Sequence, residues 1–414
     1  MIKVYTMPSG VFRGKVVLTV NARVADRELH GGGGHGEQRR TDFGSLATAL
    51  RADVIDWDSV DRNSFMRVAH RKLGFGPVAA VQVFLRRKRY DAIWCFTEVE
   101  GLLLALLFKL FRTRRVLFII GIETLSPKPM FLLKRLKVWT HFTAILPTNS
   151  YQANELSRTA HIPEDKIVVL PYQVDCNYFS RNSQDEGRSK VPYVVAAGLE
   201  SRDYATLVKA VEDIDVELKL TFTSLWSGRK TPIIAPEPPK ITIGSYSYSE
   251  LRQLYAGAAL AVVPLYESPY QHGITALQEA MAMGLPVIVT RTTGQSDVVI
   301  DRRSALRSNP RLKTDGGFAR SLAPNRPELQ ESNGFYVGVG DVEAMKKCIC
   351  YLLENRAVAS ELGQRARRFA QEVLSIELFV ERAIRLLTTA CDGQKIHKDI
   401  LSGMRLTPES VSGD

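Results

Sequence analysis

Short, unbroken apolar runs of strand length recur along this chain, separated by stretches with the three-to-four-residue spacing of amphipathic helices. Regular alternation of that kind implies a parallel sheet with helices on both faces, because strands buried on both sides read as continuous apolar segments. In the first half the expected strands are 16–20 (VVLTV), 53–57, 92–96, 116–120, 143–146 and 167–170, with helices at 38–50, within 64–88, at 100–111, near 129–141 and within 150–159. A polar stretch at 181–190 (RNSQDEGRSK) has no apolar period and reads as a linker. The alternation then restarts, with strands at 193–197, 217–222, 240–243, 260–263 and 286–289 and helices at 203–212, 248–256 and 275–283. Residues 301–331 interrupt the pattern as an insertion or loop before a strand at 334–337, and helical stretches at 341–355 and 358–390 follow. The chain is expected to be α/β: a Rossmann-like doubly wound domain over 1–182, a second over 183–375, a helix at 376–392 packing back on the first, and a tail at 393–414. A length of 414 residues suits two cores better than one.

Composition removes several function classes. With 45% hydrophobic and 24% charged residues the chain is expected to fold rather than stay disordered. Its five cysteines are odd in number and scattered, which fits a reducing compartment, and no Cys/His spacing resembles a zinc site. The N-terminus carries basic residues inside its apolar stretch and no cleavage-site pattern, and the most apolar segment, 101–111, is about half the ~20 residues a bilayer requires. A cytoplasmic protein without a spanning helix is expected. Residues 1–180 hold 26 of the 55 Lys and Arg but only 16 of the 44 Asp and Glu, so most of the net charge of +11 belongs to the first domain. The clusters at 86–89, 112–115 and 134–137 suit a solvated face, a nucleic-acid surface or anionic lipid heads.

The chemistry concentrates in residues 261–290, AVVPLYESPYQHGITALQEAMAMGLPVIVT. A strand ending near Pro264, a loop to Gly273 and a helix from about Thr275 place unpaired N–H groups and a positive dipole end at a strand C-terminus, where open α/β sheets bind ligands. Glu279 stands among apolar and small neighbours; its carboxylate is suited to two hydrogen bonds from a vicinal diol such as a ribose, or is a solvated helix carboxylate.

The run HGITALQEAMAMGLPVIVT resembles the donor-site signature of the retaining family-4 glycosyltransferases, which have the GT-B architecture of two Rossmann-like domains facing across a cleft. Four further segments resemble that family in order: the glycine loop 31–34, LPYQVDCNYF (170–179), AAGLESRDYATLVKA (196–210) and GFYVGVGDVEAM (334–345). The resemblance implies that Glu279 holds the nucleotide ribose. The residue eight positions earlier, an acidic contact to the donor sugar in the family, is Gln271 here, with Glu267 four residues upstream. It also implies a diphosphate site at Arg202, beside a tight turn at Gly198, and at the helix start Ile274-Thr275, where Gly273 allows close backbone approach; His272 is a loop residue suited to phosphate or sugar, or a solvent-exposed loop His. The family's His after the strand at 116–120 is replaced by Gly121-Ile122-Glu123. Glu123 and Glu98 are then candidates for a catalytic role, or helix caps, while Gly33, Gly34 and His35 form a candidate acceptor or phosphate loop.

The reading that follows is a glycosyltransferase moving a sugar from a nucleoside-diphosphate sugar to a glycan, lipid-linked or small-molecule hydroxyl, with retention, no metal and no cofactor. Its partners would be the donor, the acceptor and an anionic membrane surface, not a nucleic acid. A non-catalytic nucleotide-sugar-binding protein and a nucleotide-sugar epimerase are the alternatives. An NAD enzyme is disfavoured because residues 31–36 do not fit G-x-G-x-x-G with an acidic residue at the next strand end.

Overall fold

The computed structural model describes residues 12–24, 39–113, 117–122, 125–181, 191–222, 240–301 and 331–393. They form two compact units, one running to Pro171 and taking up the chain again at Ile376, the other spanning Tyr172–Ser375.

In the first unit five parallel strands lie in the order β2-β1-β3-β4-β5: β1 (Val16–Thr19), β2 (Asp53–Ile55), β3 (Ala92–Cys95), β4 (Leu117–Ile122) and β5 (Ala144–Pro147). β1, β3 and β5 are buried along their whole length, as their unbroken apolar composition requires. One face packs on α1 (Asp42–Leu50) and α13 (Ile376–Cys391), where Phe379 meets the Trp94 ring edge-on at 6.3 Å and Arg40 pairs with Glu377 at 2.7 Å. The opposite face is covered by α4 (Phe75–Arg86), α5 (Glu98–Leu110) and α7 (Ser150–Ala160).

The expected strand 53–57 stops at Ile55 because Asp56 caps a short helix, α2 (Trp57–Asp61), through a reciprocal capping box with Ser59. The single helix expected within 64–88 is two, α3 (Ser64–Leu73) and α4, divided at Gly74 with φ of 82°. The helix expected near 129–141 ends as α6 (Pro127–Lys134), and a 3₁₀ turn at Val138–His141 follows a left-handed Lys137. Residues 167–170 make one parallel bridge, Ile145 to Ile167, rather than a full strand, and the run ends at Pro171, which has no N–H to donate.

The second unit has six parallel strands in the order β11-β10-β9-β6-β7-β8: β6 (Tyr193–Ala197), β7 (Glu217–Thr221), β8 (Ile241–Gly244), β9 (Leu260–Val263), β10 (Val287–Thr290) and β11 (Phe335–Val337). α9 (Tyr248–Gly257), α10 (Ile274–Ala282) and α12 (Arg356–Val373) cover one face; α8 (Tyr204–Val211) and α11 (Val342–Glu354) cover the other. α12 and α10 approach closely, since a Cβ on Gly363 would lie 2.2 Å from the Gly284 carbonyl oxygen. The helix expected over 358–390 is interrupted at Leu374-Ser375, where Val174 donates to the Leu374 carbonyl at 2.8 Å.

Candidate functional site

From β6 the second sheet grows outward through β7 to β8, and then the chain returns beside β6 to build β9, β10 and β11. Connections that leave β6 and β9 in opposite directions open a crevice at their carboxyl ends, the switch point at which doubly wound sheets bind ligands. Here the two loops are stitched together. Arg202 and Leu265 form an antiparallel bridge, Asp203 N–H donates to the Pro264 carbonyl at 3.1 Å, and Tyr266 N–H donates to that of Ser201 at 3.0 Å.

Arg202, at the centre of this stitch, is only 9% exposed. Its guanidinium folds back on the β6 loop, Nε donating to the Ala197 carbonyl at 2.9 Å and Nη1 to that of Glu200 at 2.7 Å. Two glycines make room for it. Gly198 has φ of 104°, and a Cβ there would lie 2.3 Å from Arg202 Nη2. Gly273, the left-handed N-cap of α10 with φ of 78°, would set a Cβ 2.6 Å from Val263 Cγ1 and 3.3 Å from Arg202 Nη1. The guanidinium therefore lies against the start of α10, which has no side-chain cap.

Among the described residues no carboxylate lies within ion-pair distance of Arg202. Burial lowers its pKa, and the neighbouring Tyr204, Tyr255 and Glu200 act against that shift. A buried cation at the positive end of a helix dipole is unfavourable on both counts until an anion arrives. Phosphate oxygens resolve both, accepting from the guanidinium and from the first N–H groups of the helix. The mouth is open there: Thr275 is exposed, and His272 and Gly273 are half-buried.

Glu279 lies further along α10 and is 4% exposed. The hydroxyl of Tyr255, on α9, donates to its Oε2 at 3.4 Å. Burial, reinforced by the Glu279 charge, pushes the Tyr255 phenol well above its usual range, so it remains a donor. Tyr204 donates to the Gly198 carbonyl, and burial pushes its phenol up to about 12. Arg202, Tyr204, Tyr255 and Glu279 thus form one buried polar group between the ends of β6 and β9.

The loop before α10 clasps the loop after β10. Gly294 N–H donates to the Ser268 carbonyl at 2.8 Å, and the exposed Glu267 accepts from Thr293 N–H at 2.9 Å. Gln295 Nε2 donates to the His272 carbonyl at 3.3 Å, and the His272 ring meets Tyr270 at 5.7 Å. Gln271 is 7% exposed, with both amide atoms buried and without a hydrogen-bond partner.

The structure thus brings Gly198, Arg202, Gly273, Ile274, Thr275 and Glu279 to one switch point, with Gln271, His272 and Glu267 on the adjoining loop. Glu98 is buried in the first turn of α5, in the first unit. Glu123, Gly33, Gly34 and His35 lie outside the described residues. The sequence reading missed Tyr204, Tyr255 and Gln295; Tyr255 is 24 residues from Glu279, and no motif in the sequence links them. Among the described residues no three His, Cys, Asp or Glu side chains converge as a metal-ligating group, and no helix is long and apolar enough to cross a membrane.

Residues 194–355 match the family described as Glycosyl transferases group 1, which puts a glycosyltransferase domain in the second unit. No curated protein matches the sequence. Among solved structures, Anabaena Alr3699/HepE in complex with UDP and glucose superposes with a TM-score of 0.60 at 13% identity, covering 91% of this chain and 100% of its own. Sucrose-phosphate synthase from Thermosynechococcus elongatus gives 0.58 at 15%, with 92% and 100% covered. The α,α-trehalose 6-phosphate synthase from Burkholderia multivorans gives 0.60 at 10%, with 92% and 99% covered. The fold is that of the GT-B glycosyltransferases, two parallel-sheet α/β domains.

Proposed function

We propose that this chain moves a sugar from a nucleoside-diphosphate sugar to an acceptor hydroxyl, holding the donor on its second unit and the acceptor on its first. The observation that carries the reading is the Arg202 guanidinium, without a carboxylate partner, lying against the uncapped start of α10 at the β6/β9 switch point. A diphosphate bound there leaves with its growing charge already met by fixed donors, which is the larger part of what such a reaction asks of a protein. Glu279, steadied by Tyr255, is suited to a ribose diol, and Gln271 and His272 lie on the loop that leads into the same helix. Because Arg202 and the helix start supply the positive charge, the reaction proceeds without a bound metal. The resemblance to retaining enzymes supports acceptor attack from the face the diphosphate leaves, so that the anomeric configuration is kept.

A lipid-linked or polyanionic glycan is the acceptor class favoured by the basic first unit, acting at the cytoplasmic face of a membrane. α3 supports this: Phe65 and Val68 are 77% and 51% exposed on a helix that also carries Arg67, Arg71 and Lys72. Sedimentation with anionic liposomes at low salt checks it, and no binding under those conditions ends the membrane reading.

The donor reading is tested by thermal shift with UDP-, GDP- and ADP-sugars on the wild type and Glu279→Ala, starting with uridine because HepE was crystallised with UDP. One base should raise the midpoint of the wild type and not that of the variant, as linkage requires. No stabilisation by any nucleotide sugar would defeat the proposal.

A further inference from the structure

In the first unit a cavity of about 370 Å³ opens between α6 and α7. Leu125, Met130 and Phe131 give it an apolar wall, and Phe131 is 56% exposed, so its ring presents apolar surface to whatever enters. Lys134 and Arg135 continue the same side, where α6 ends, and Glu155 and Thr159 line the cavity from α7. The charges along this lining are unbalanced. Glu155 is already engaged: Arg158 Nη2 donates to its Oε1 at 2.7 Å and to its Oε2 at 2.9 Å, and the Thr159 hydroxyl donates to Oε2 at 3.2 Å. The side chains of Lys134 and Arg135 are exposed and have no hydrogen-bond or ion-pair partner among the described residues. An apolar wall thus runs into two unpaired cations, and the one lining carboxylate is already neutralised.

We propose that this cavity binds a single-chain amphiphile with a phosphate head, its chain on Leu125, Met130 and Phe131 and its phosphate on Lys134 and Arg135. Size selects a small ligand: the volume is at the lower end of the range for small-molecule sites, about 300–1,000 Å³, and is too small to enclose an α-helix about 10 Å across. The cations select the head. A phosphate monoester brings up to two negative charges and three acceptor oxygens, which a guanidinium fork and an ammonium share, whereas a carboxylate brings one charge. The wall selects the chain, since an unbranched Met beside an aromatic ring adapts to an alkyl tail, and each methylene removed from water strengthens binding by up to about fourfold. Cations at the end of a helix also offset its dipole, but that role leaves the cavity and its apolar wall without an occupant. Every lining residue belongs to the first unit, so the inference stands apart from the donor site and its test uses no sugar nucleotide.

The test is calorimetric titration of the full chain with alkyl phosphates from hexyl to dodecyl, each kept below its micelle concentration, with decanol and inorganic phosphate as the separate halves of the ligand. One molecule should bind per chain, more tightly with each added methylene until the cavity is full and no more tightly beyond that length. Decanol and inorganic phosphate should each bind at least about tenfold more weakly than decyl phosphate. The double variant Lys134→Gln, Arg135→Gln should weaken decyl phosphate about tenfold or more, and Phe131→Ser about as much; all three side chains are exposed, so the variants should fold. The matched pair Lys88→Gln, Arg89→Gln, in another exposed basic cluster, should leave the affinity within about twofold. Several molecules per chain, an affinity that climbs through the whole series, or equal weakening by the two basic pairs would mean adsorption to a charged surface and overturn the site. Unchanged affinity in Lys134→Gln, Arg135→Gln with a lowered unfolding midpoint overturns it too, and assigns the two cations to the helix dipole alone. Failure of every alkyl phosphate to bind the wild type ends the proposal and leaves the donor-site reading untouched.

Discussion

Each unit has a switch point, and the two are filled in opposite ways. In the first, between β1 and β3, Glu100 sits at the start of α5 and is 1% exposed. Its Oε1 accepts from Thr19 Oγ1 at 3.1 Å and from Thr97 N–H at 3.3 Å, and its Oε2 from the Thr97 hydroxyl. A carboxylate at the positive end of a helix, with its oxygens hydrogen-bonded, is a finished arrangement. In the second, between β6 and β9, a cation stands at the positive end of α10, and two amides nearby have unpartnered atoms. The two sheets differ in strand order, but each reverses direction beside its first strand and so opens a crevice there. One holds a carboxylate whose oxygens the chain itself has hydrogen-bonded; the other holds a guanidinium against an uncapped helix start.

The largest expected effect separates the two directly. Arg202→Gln removes the charge that the proposed function assigns to the leaving diphosphate, and kcat/KM for sugar transfer should then fall about 10²–10³-fold, the usual loss when one preorganised electrostatic donor is deleted. The matching change in the first unit, Glu100→Gln, should leave kcat/KM for the donor within about twofold. Steady-state kinetics on both variants decide it; similar losses in both would erase the distinction.

Smaller effects probe how the second switch point is held. Gly198→Ala must adopt φ near 104° and displace the guanidinium, so it should destabilise the second unit by about 1–3 kcal/mol in urea denaturation and weaken donor binding as well. Tyr255→Phe keeps the ring and deletes the hydroxyl that donates to Glu279. A loss of about 1 kcal/mol is expected, read as a roughly fivefold rise in donor KM with kcat unchanged. A fall in kcat instead would mean that Tyr255 acts on the reaction rather than on ribose binding.

Much of the fold was legible because parallel strands buried on both faces leave an unambiguous apolar run, as at β3, β6, β9 and β10. The misread elements have local causes of other kinds. Gly74 divides α3 from α4 inside an apolar period that continues across it, and Asp56 converts the end of an expected strand into a helix cap. Within the site, Gly273 and Glu279 stand out in the sequence because they follow a strand end or break an apolar pattern, whereas Arg202 is singled out only through the family resemblance. Tyr255 and Gln295 do not stand out, since a Tyr on an amphipathic helix reads as core and a Gln after a loop glycine reads as surface. Only the β6/β9 strand order and the clasped loops give those two a role.

The smallest expected effect concerns the completed site. Burial raises the Glu100 pKa above its ordinary value, while the hydrogen bonds from Thr97 and Thr19 act in the opposite direction without cancelling it. The folded state therefore holds this proton more tightly than the unfolded chain does. Its contribution to stability is fully present below the unfolded carboxyl pKa of about 4.3 and is lost as pH rises through the elevated folded value. Glu100→Gln cannot titrate, so between roughly pH 4 and neutrality the wild type should lose stability relative to the variant, by about 1 kcal/mol for each unit of elevation. Chemical denaturation of both proteins across that range measures the difference. A gap that stays flat would mean that three donors suffice to keep Glu100 ionised. The first switch point would then hold a full negative charge, and its contrast with the Arg202 site would be one of charge sign as well as of completeness.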